Sequence, residues 1–350
     1  MLDNDLRRPL QPKRLRMTAH RGSVSALQIA VAALAALLLM VFAWLVLAHD
    51  LSGGQPRVVA KIQKSDPMAT GSVRSSTGPS SLRKAPLSLL LEPGRYGALP
   101  RISGDETPLS AYSRPISAEA MASPLPKVAL IIGGVGGNDE MSAAAIERLP
   151  EEVTLAIDSN GRNLQSWVDR ARLSGHEVLL QLPMEALAHP NAGPGARTLL
   201  ASMSPAEIQD DLHWHLARAA GYFGVINQLG GKFLGSEAAL EPLAHELKRR
   251  GLLFVEDMPS GQSKAAAVAD DVDMKYLGAD IVIDEDSDPA AIDAALEELL
   301  NIAERKGFAL AVGSAFPATL ERVELWTKRA MVTKRVMIVP ASAALVLEPQ

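Results

Sequence analysis

The residues best placed to do chemistry in this chain stand at the ends of predicted strands, and they are glycines, amides, a serine and a phenylalanine. The segments read Leu130-Ile131-Ile132-Gly133-Gly134, Leu180-Gln181-Leu182-Pro183-Met184, Val225-Ile226-Asn227-Gln228-Leu229-Gly230 and Ala311-Val312-Gly313-Ser314-Ala315-Phe316-Pro317. The carboxyl ends of barrel strands are where such folds gather their reacting groups. Amides and hydroxyls offer neutral hydrogen-bond donors and acceptors. They are poor zinc ligands and weak bases, so these positions suit binding better than hydrolysis. The nearest carboxylates are Glu256, its neighbour Asp257, and Asp284 after the sixth strand. Two or three carboxylates without histidine suit a hard cation, not an open zinc site.

Two other motifs imitate chemistry. Gly133-Gly134-Val135-Gly136-Gly137 follows a strand, opens a helix and is followed by Asp158 after the next strand. That order resembles a dinucleotide unit, but from either Gly134 or Gly136 no glycine falls where the third of G-x-G-x-x-G belongs. His213-Trp214-His215 looks like a metal pair, yet residues two apart on a helix point in different directions. These histidines are expected to be exposed or partly packed with Trp214. His189 belongs to a loop, and His176 precedes a strand at the end opposite the glycines and amides, so both are expected to be structural.

The elements that position these residues begin at Lys127. Continuous Val, Ile and Leu runs predict strands covered on both sides at Val128 to Ile132, Val153 to Ile157, Glu177 to Leu182, Gly224 to Asn227, Leu252 to Val255, Asp280 to Ile283, Phe308 to Val312 and Val336 to Val339. Ser204-Pro205-Ala206-Glu207 combines an N-cap serine, proline in the first turn and a capping-box glutamate. Asp288-Pro289 opens a helix that runs to Lys306 and stops at Gly307, and another runs from about Glu237 to Arg250 and stops at Gly251. Alternating strands and helices predict one α/β domain, either a barrel, complete or distorted, or an open doubly wound sheet.

The 350 residues carry a net charge of -5, which leaves no basic surplus for nucleic acid, and no cysteine. Val24 to Ala48 is apolar apart from Ser25 and Gln28, longer than the ~20 residues a bilayer-spanning helix needs. Six basic residues, Arg7, Arg8, Lys13, Arg14, Arg16 and Arg21, precede it. This asymmetry predicts a cytoplasmic basic tail over 1–23, a single transmembrane anchor over 24–48 and a folded domain across the inner membrane, in the periplasm. A signal peptide usually has a core of about 7 to 15 residues and an A-x-A site, and this segment fits neither. Residues 49–126 are rich in Ser, Pro, Gly, Arg and Lys and predict a disordered linker. Within it, Leu87-Ser88-Leu89-Leu90-Leu91 is placed either to dock on the domain or a partner, or to form a transient helix without one.

At the strand ends the sequence resembles the divergent polysaccharide deacetylase family, relatives of the chitooligosaccharide deacetylases. The resemblance covers about Lys127 to Ala344, and the domain is taken as 127–347. It rests on His176-Glu177-Val178-Leu179-Leu180 leading into Leu182-Pro183-Met184, on Gly224 to Lys232 with Asn227 and Gly230, on Phe254-Val255-Glu256, and on Gly313 with Pro317-Ala318-Thr319. It implies a distorted (β/α) barrel and an enzyme in which a metal ion, usually zinc, polarises an acetyl carbonyl while an aspartate acts as base. The family's first motif ends in two acids, matched here by Gly133 and Gly134. Its histidines are matched by Gln181, Gln228, Ser314 and Phe316, so the metal and catalytic sets are both missing and neither a metal nor another cofactor is expected. Glu256 stands where the family has aspartate.

Three functions follow from this pattern. The expected one is a membrane-anchored pseudoenzyme whose cleft, lined by Gln181, Asn227, Gln228, Glu256, Asp257, Asp284, Ser314 and Phe316, binds an envelope glycan. The others are an interaction scaffold engaging an envelope protein, and a residual deacetylase using Glu256, Asp257 or Asp284 with a different metal.

Overall fold

The chain divides into two units, residues 1–74 and 75–350. The computed structural model describes residues 34–41, 82–187, 195 and 197–347. Residues 34–41, in the first unit, are helical (α1) and fall within the apolar stretch Val24 to Ala48. The rest of that stretch, residues 49–81 of the expected linker, and His189 lie outside the described residues. Among the described residues no helix is long and apolar enough to cross a membrane.

The expected disorder of 49–126 does not extend to 82–126. This part forms a 3-10 turn at Ser88–Leu90, an antiparallel pair β1 (Leu91–Pro93) and β2 (Ala98–Pro100), and two short helices, α2 (Pro108–Tyr112) and α3 (Ala118–Ala122). Leu90, Ala111 and Tyr112 are at most 2% exposed. Their burial against the domain offsets the ordering entropy that a polar average composition suggests is too large. Of the two readings of Leu87 to Leu91, docking on the domain is the one observed.

The domain is built on β3 (Lys127–Val135), β4 (Thr154–Asp158), β5 (Val178–Met184), β6 (Gly224–Leu229), β7 (Leu253–Glu256), β8 (Tyr276–Gly278), β9 (Ile281–Val282), β10 (Phe308–Ser314) and β11 (Met337–Val339). All eight expected strands are present, and β8 is additional. The sheet is parallel in the order β8-β7-β6-β5-β4-β3-β10-β9, with β11 pairing the start of β3. Strands β3 to β8 follow one another without the reversal of a doubly wound sheet, which removes that alternative. The sheet is instead curled and open between its two edges. The chain steps from β8 to β9 through Ala279 and Asp280, whose amides donate to Glu256 O on one edge and Leu310 O on the other.

Two apolar layers result. Val128, Leu130 and Ile132 of β3 pack outward with the helices, among them α4 (Asp139–Arg148), α5 (Leu164–Leu173), α6 (Pro205–Leu216), α7 (Glu237–Arg250), α8 (Ala265–Val272), α9 (Pro289–Lys306) and α10 (Pro317–Thr333). The alternate residues Ala129 and Ile131 pack with Ala156, Leu179, Ile226, Val255 and Leu310 in a second cluster. This is the period-two division that separates the inner from the outer face of a curled sheet. The second cluster also takes in Leu90, Tyr112 and Ala344, the last opening α11 (Ala344–Leu347), so the N-terminal segment and the chain's end fill the inner layer together.

The strand-start end is locked by polar groups. Glu177 is fully buried and accepts from Arg114 N (2.8 Å), Thr154 Oγ1 (2.8 Å), Ser342 N (3.0 Å) and Ser342 Oγ (2.6 Å). His176 beside it is fully buried between Val153 O and Ile146 O, and burial holds its pKa below the usual imidazole value. The structural role expected of His176 is the one found. At α6 the capping box is complete, with Ser204 and Glu207 engaged reciprocally.

Candidate functional site

Parallel register brings the strand ends to one level. Ser314 lies opposite Gly133, Asp158 opposite Gln181, and Gln228 opposite Pro183. They surround an open cavity of about 780 Å³, a size suited to a small ligand. Gly134, Gln181, Asn227, Gln228, Asp257, Asp284, Ser314 and Phe316 all line it, joined by Asp158, Glu140 and Met141. Phe316 is 58% exposed and leaves the cavity open.

Gly133 and Gly134 have structural work of their own. The β3–β4 register shifts between Ile132 and Val135, and Gly134 takes φ +81°, which side-chain-bearing residues rarely adopt. Gln181 Oε1 accepts from Gly134 N at 2.6 Å. A Cβ placed on Gly133 would stand 2.5 Å from Gln181 Nε2. The Gln181 amide therefore occupies the space a side chain at 133 would enter. Gly133→Ala is expected to push Gln181 off the Gly134 amide and to cost about 1–3 kcal/mol in urea unfolding. A cost near zero would show that this contact yields freely.

The carboxylates differ in their commitments. Asp284 Oδ2 accepts from Ser314 N (2.7 Å) and Thr319 Oγ1 (2.9 Å), tying β10 and α10 to the loop after β9. Asp158 Oδ1 accepts from Asn160 N at 2.9 Å. Burial pushes the Asp257 carboxyl up to about 6, aided by the neighbouring Glu256 charge and opposed by a hydrogen bond from Asn227. Asn227 is only 1% exposed. Its Nδ2 donates to Asp257 Oδ1 (2.7 Å) and Leu229 O (2.6 Å), and its Oδ1 accepts from Asp257 N (2.9 Å). It clamps β6 to the end of β7, so its expected role as a free binding amide gives way to a positioning one.

Glu256 is placed differently from the expectation. It is 1% exposed, absent from the cavity wall, and accepts from Tyr276 Oη at 2.6 Å. Glu256 ends β7, and Asp257, the first residue beyond it, is the one that reaches the cavity. Asp158 is, with Glu140 and Met141, among the lining residues that sequence reasoning missed. Its signal was its place at the end of a strand, which the sequence presented only beside the dinucleotide-like glycines whose spacing fails.

The glycine turn itself does not suit a pyrophosphate. The first turn of α4 carries Asp139 and Glu140, whose charges oppose an anion at that helix end.

Among the described residues no histidine lines the cavity. His213 Nε2 contacts Glu246 Oε1 (2.5 Å), while His215 Nε2 contacts Arg197 O (2.9 Å), so the pair diverges as expected. Of the two expected surroundings, packing with Trp214 is the one found for His215, which is fully buried with its ring edge-on to Trp214 at 4.9 Å, while His213 is engaged by Glu246 and Arg250. With Nε2 donating to a carbonyl, His215 Nδ1 is a buried, unpaired acceptor, and burial lowers the pKa to about 4. Folded His215 stays neutral while the unfolded chain takes up a proton below about pH 6.5. Its contribution is therefore full above that pH and is lost as pH falls toward 4, up to about 3 kcal/mol. His215→Gln should flatten that part of the stability–pH curve. An unchanged slope would place the proton uptake elsewhere.

The zinc implied by the resemblance does not fit this donor set. At the family's ligand positions stand two glycines without side chains, two neutral amides, a hydroxyl and a phenyl ring, and one amide is already held by a backbone N–H. Among the described residues no three His, Cys, Asp or Glu side chains come close enough together to hold a metal ion.

Comparison with known proteins agrees with the architecture. The uncharacterized protein ATU2773 from Agrobacterium tumefaciens C58 superposes with a TM-score of 0.67 at 38% identity, covering 71% of this chain and 99% of that one. The uncharacterized protein YibQ of Escherichia coli (strain K12) is 24% identical over 203 residues, and an uncharacterized protein of Haemophilus influenzae is 23% identical over 194. These matches cover 57% and 55% of this chain and span 63% and 68% of the respective relatives. Residues 130–345 match the family described as divergent polysaccharide deacetylase, and with that match the fold and its degenerate strand ends have one frame: the chain belongs to the divergent polysaccharide deacetylase family.

Proposed function

We propose that this chain is a glycan-binding member of its family that does not hydrolyse, held to the inner membrane by Val24 to Ala48 with its folded domain in the periplasm. The observation that carries the reading is the open cavity at the strand ends, in which the family's ligand positions hold Gly134, Gln181, Gln228, Ser314 and Phe316. A sugar presents hydroxyls that pair with amides and an apolar ring face that packs on an aromatic side chain, and the cavity offers both. Asp257 and Asp284 serve here as hydrogen-bond acceptors.

The full-length protein in detergent is expected to be retained by peptidoglycan or another envelope polysaccharide, and Gln228→Ala to weaken that retention. Folded protein that no envelope glycan retains would overturn the glycan reading. The exposed Leu229 and Phe316 on the cavity wall favour a second reading, an interaction scaffold that docks an envelope protein there. Crosslinking in cells that recovers a protein through this face, without glycan retention, would establish it.

A further inference from the structure

The polar groups of the cavity are unbalanced, and the imbalance selects a ligand. Asp158, Asp257, Asp284 and Glu140 line it, and none of the described lining residues is Lys, Arg or His. Gln228 also lines it, though its Oε1 is withdrawn from solvent and has no hydrogen-bond partner. Gln181 is 9% exposed and has its Oε1 held by Gly134 N. Its Nε2, next to Gly133, is the amide donor on the neighbouring strand β5.

Four carboxylates around one cavity, with no basic side chain among its described lining residues, favour a ligand rich in donors and free of negative charge. Phosphorylated and uronic sugars are excluded by repulsion, since no cation is present to pair with them. An acetamido sugar offers one N–H and brings a carbonyl of its own, which adds an acceptor to a site already crowded with them. A free amino sugar offers an ammonium with three donors and a positive charge, and charge-assisted hydrogen bonds to carboxylates are the stronger kind.

We infer that the cavity is selective for glycans carrying free amino groups, such as glucosamine residues, over their N-acetylated counterparts. This inference rests on the glycan reading of the same cavity and narrows it. The site so described would read the deacetylated state of a polymer, the state that an amide-hydrolysing reaction on the same glycan supplies.

The test is calorimetric titration of the full-length protein with a glucosamine tetramer and with an N-acetylglucosamine tetramer. The free-amine tetramer is expected to bind about ten-fold tighter, with the preference shrinking as salt is raised. Asp158→Asn keeps the oxygen that Asn160 N requires and removes the charge, and it should reduce the preference several-fold while the thermal midpoint stays in place. Equal or tighter binding of the acetylated tetramer overturns the inference and leaves the glycan reading intact. Binding of neither tetramer overturns the inference; retention by other envelope polysaccharides would then decide the glycan reading separately. A preference unchanged in Asp158→Asn and in Asp257→Asn also overturns it, because the charge would then lie outside this cavity.

Discussion

Replacing Glu177 by alanine is expected to destabilise the folded domain by about 3–5 kcal/mol, the largest single effect among the buried polar groups. Four donors from three parts of the chain converge on its carboxylate: Arg114 N, Thr154 Oγ1, and the Ser342 amide and hydroxyl. Alanine leaves them buried without an acceptor in a space too tight for ready rehydration. Glutamine keeps the shape but turns an NH2 group toward donors, so Glu177→Gln should fall between wild type and alanine. Urea unfolding of the three proteins checks the order. A loss under 1 kcal/mol for alanine would mean that water replaces the carboxylate. The cavity at the other end of the strands should keep its ligand preference wherever Glu177→Gln remains folded, since Glu177 does not line it.

The second large effect concerns the segment 82–126. Arg250 is 1% exposed, and its guanidinium donates to Glu246 Oε1 (2.6 Å), Glu92 Oε1 (2.9 Å) and Pro100 O (2.6 Å). It thereby joins α7 to both strands of the β1–β2 pair. Glu246 is held well below the usual carboxylate range by hydrogen bonds from His213, Arg249 and Arg250, which outweigh its burial. Arg250→Met retains much of the volume and removes every one of these donors, at an expected cost of about 3 kcal/mol. Limited proteolysis should then cut first between Glu92 and Pro100, before the strands of the domain are attacked. Equal protease resistance in wild type and variant would show that the apolar contacts of Leu90, Leu99 and Tyr112 hold the segment by themselves.

The strands were legible because parallel strands covered on both faces need unbroken Val, Ile and Leu, and β3, β5 and β10 have it. β8 was not legible: Tyr276-Leu277-Gly278 is three residues with one fully apolar side chain, and only its pairing with β7 defines it. The order of 82–126 was hidden for a related reason. Leu90, Leu99, Ala111 and Tyr112 are too widely spaced to form a periodic pattern, and their burial is tertiary. At the site, the residue types at the strand ends could be read directly, and all but Glu256 of the expected cleft residues line the cavity. What the residue types could not convey was why glycine is fitted to 133 and 134. That reason lies in a bulged register, a positive φ and the approach of Gln181, all of which need the neighbouring strands in place. Of the two neighbouring acids expected in the cleft, Asp257 lines it and Glu256 does not, a difference of one residue that only the folded strand end reveals.

The proposal that this family member does not hydrolyse is tested most directly by loading the full-length protein with zinc and measuring bound metal and acetate release from an acetylated glycan together. The account predicts substoichiometric zinc and acetate release no faster than a control without protein. One equivalent of zinc bound with turnover of the glycan would contradict it.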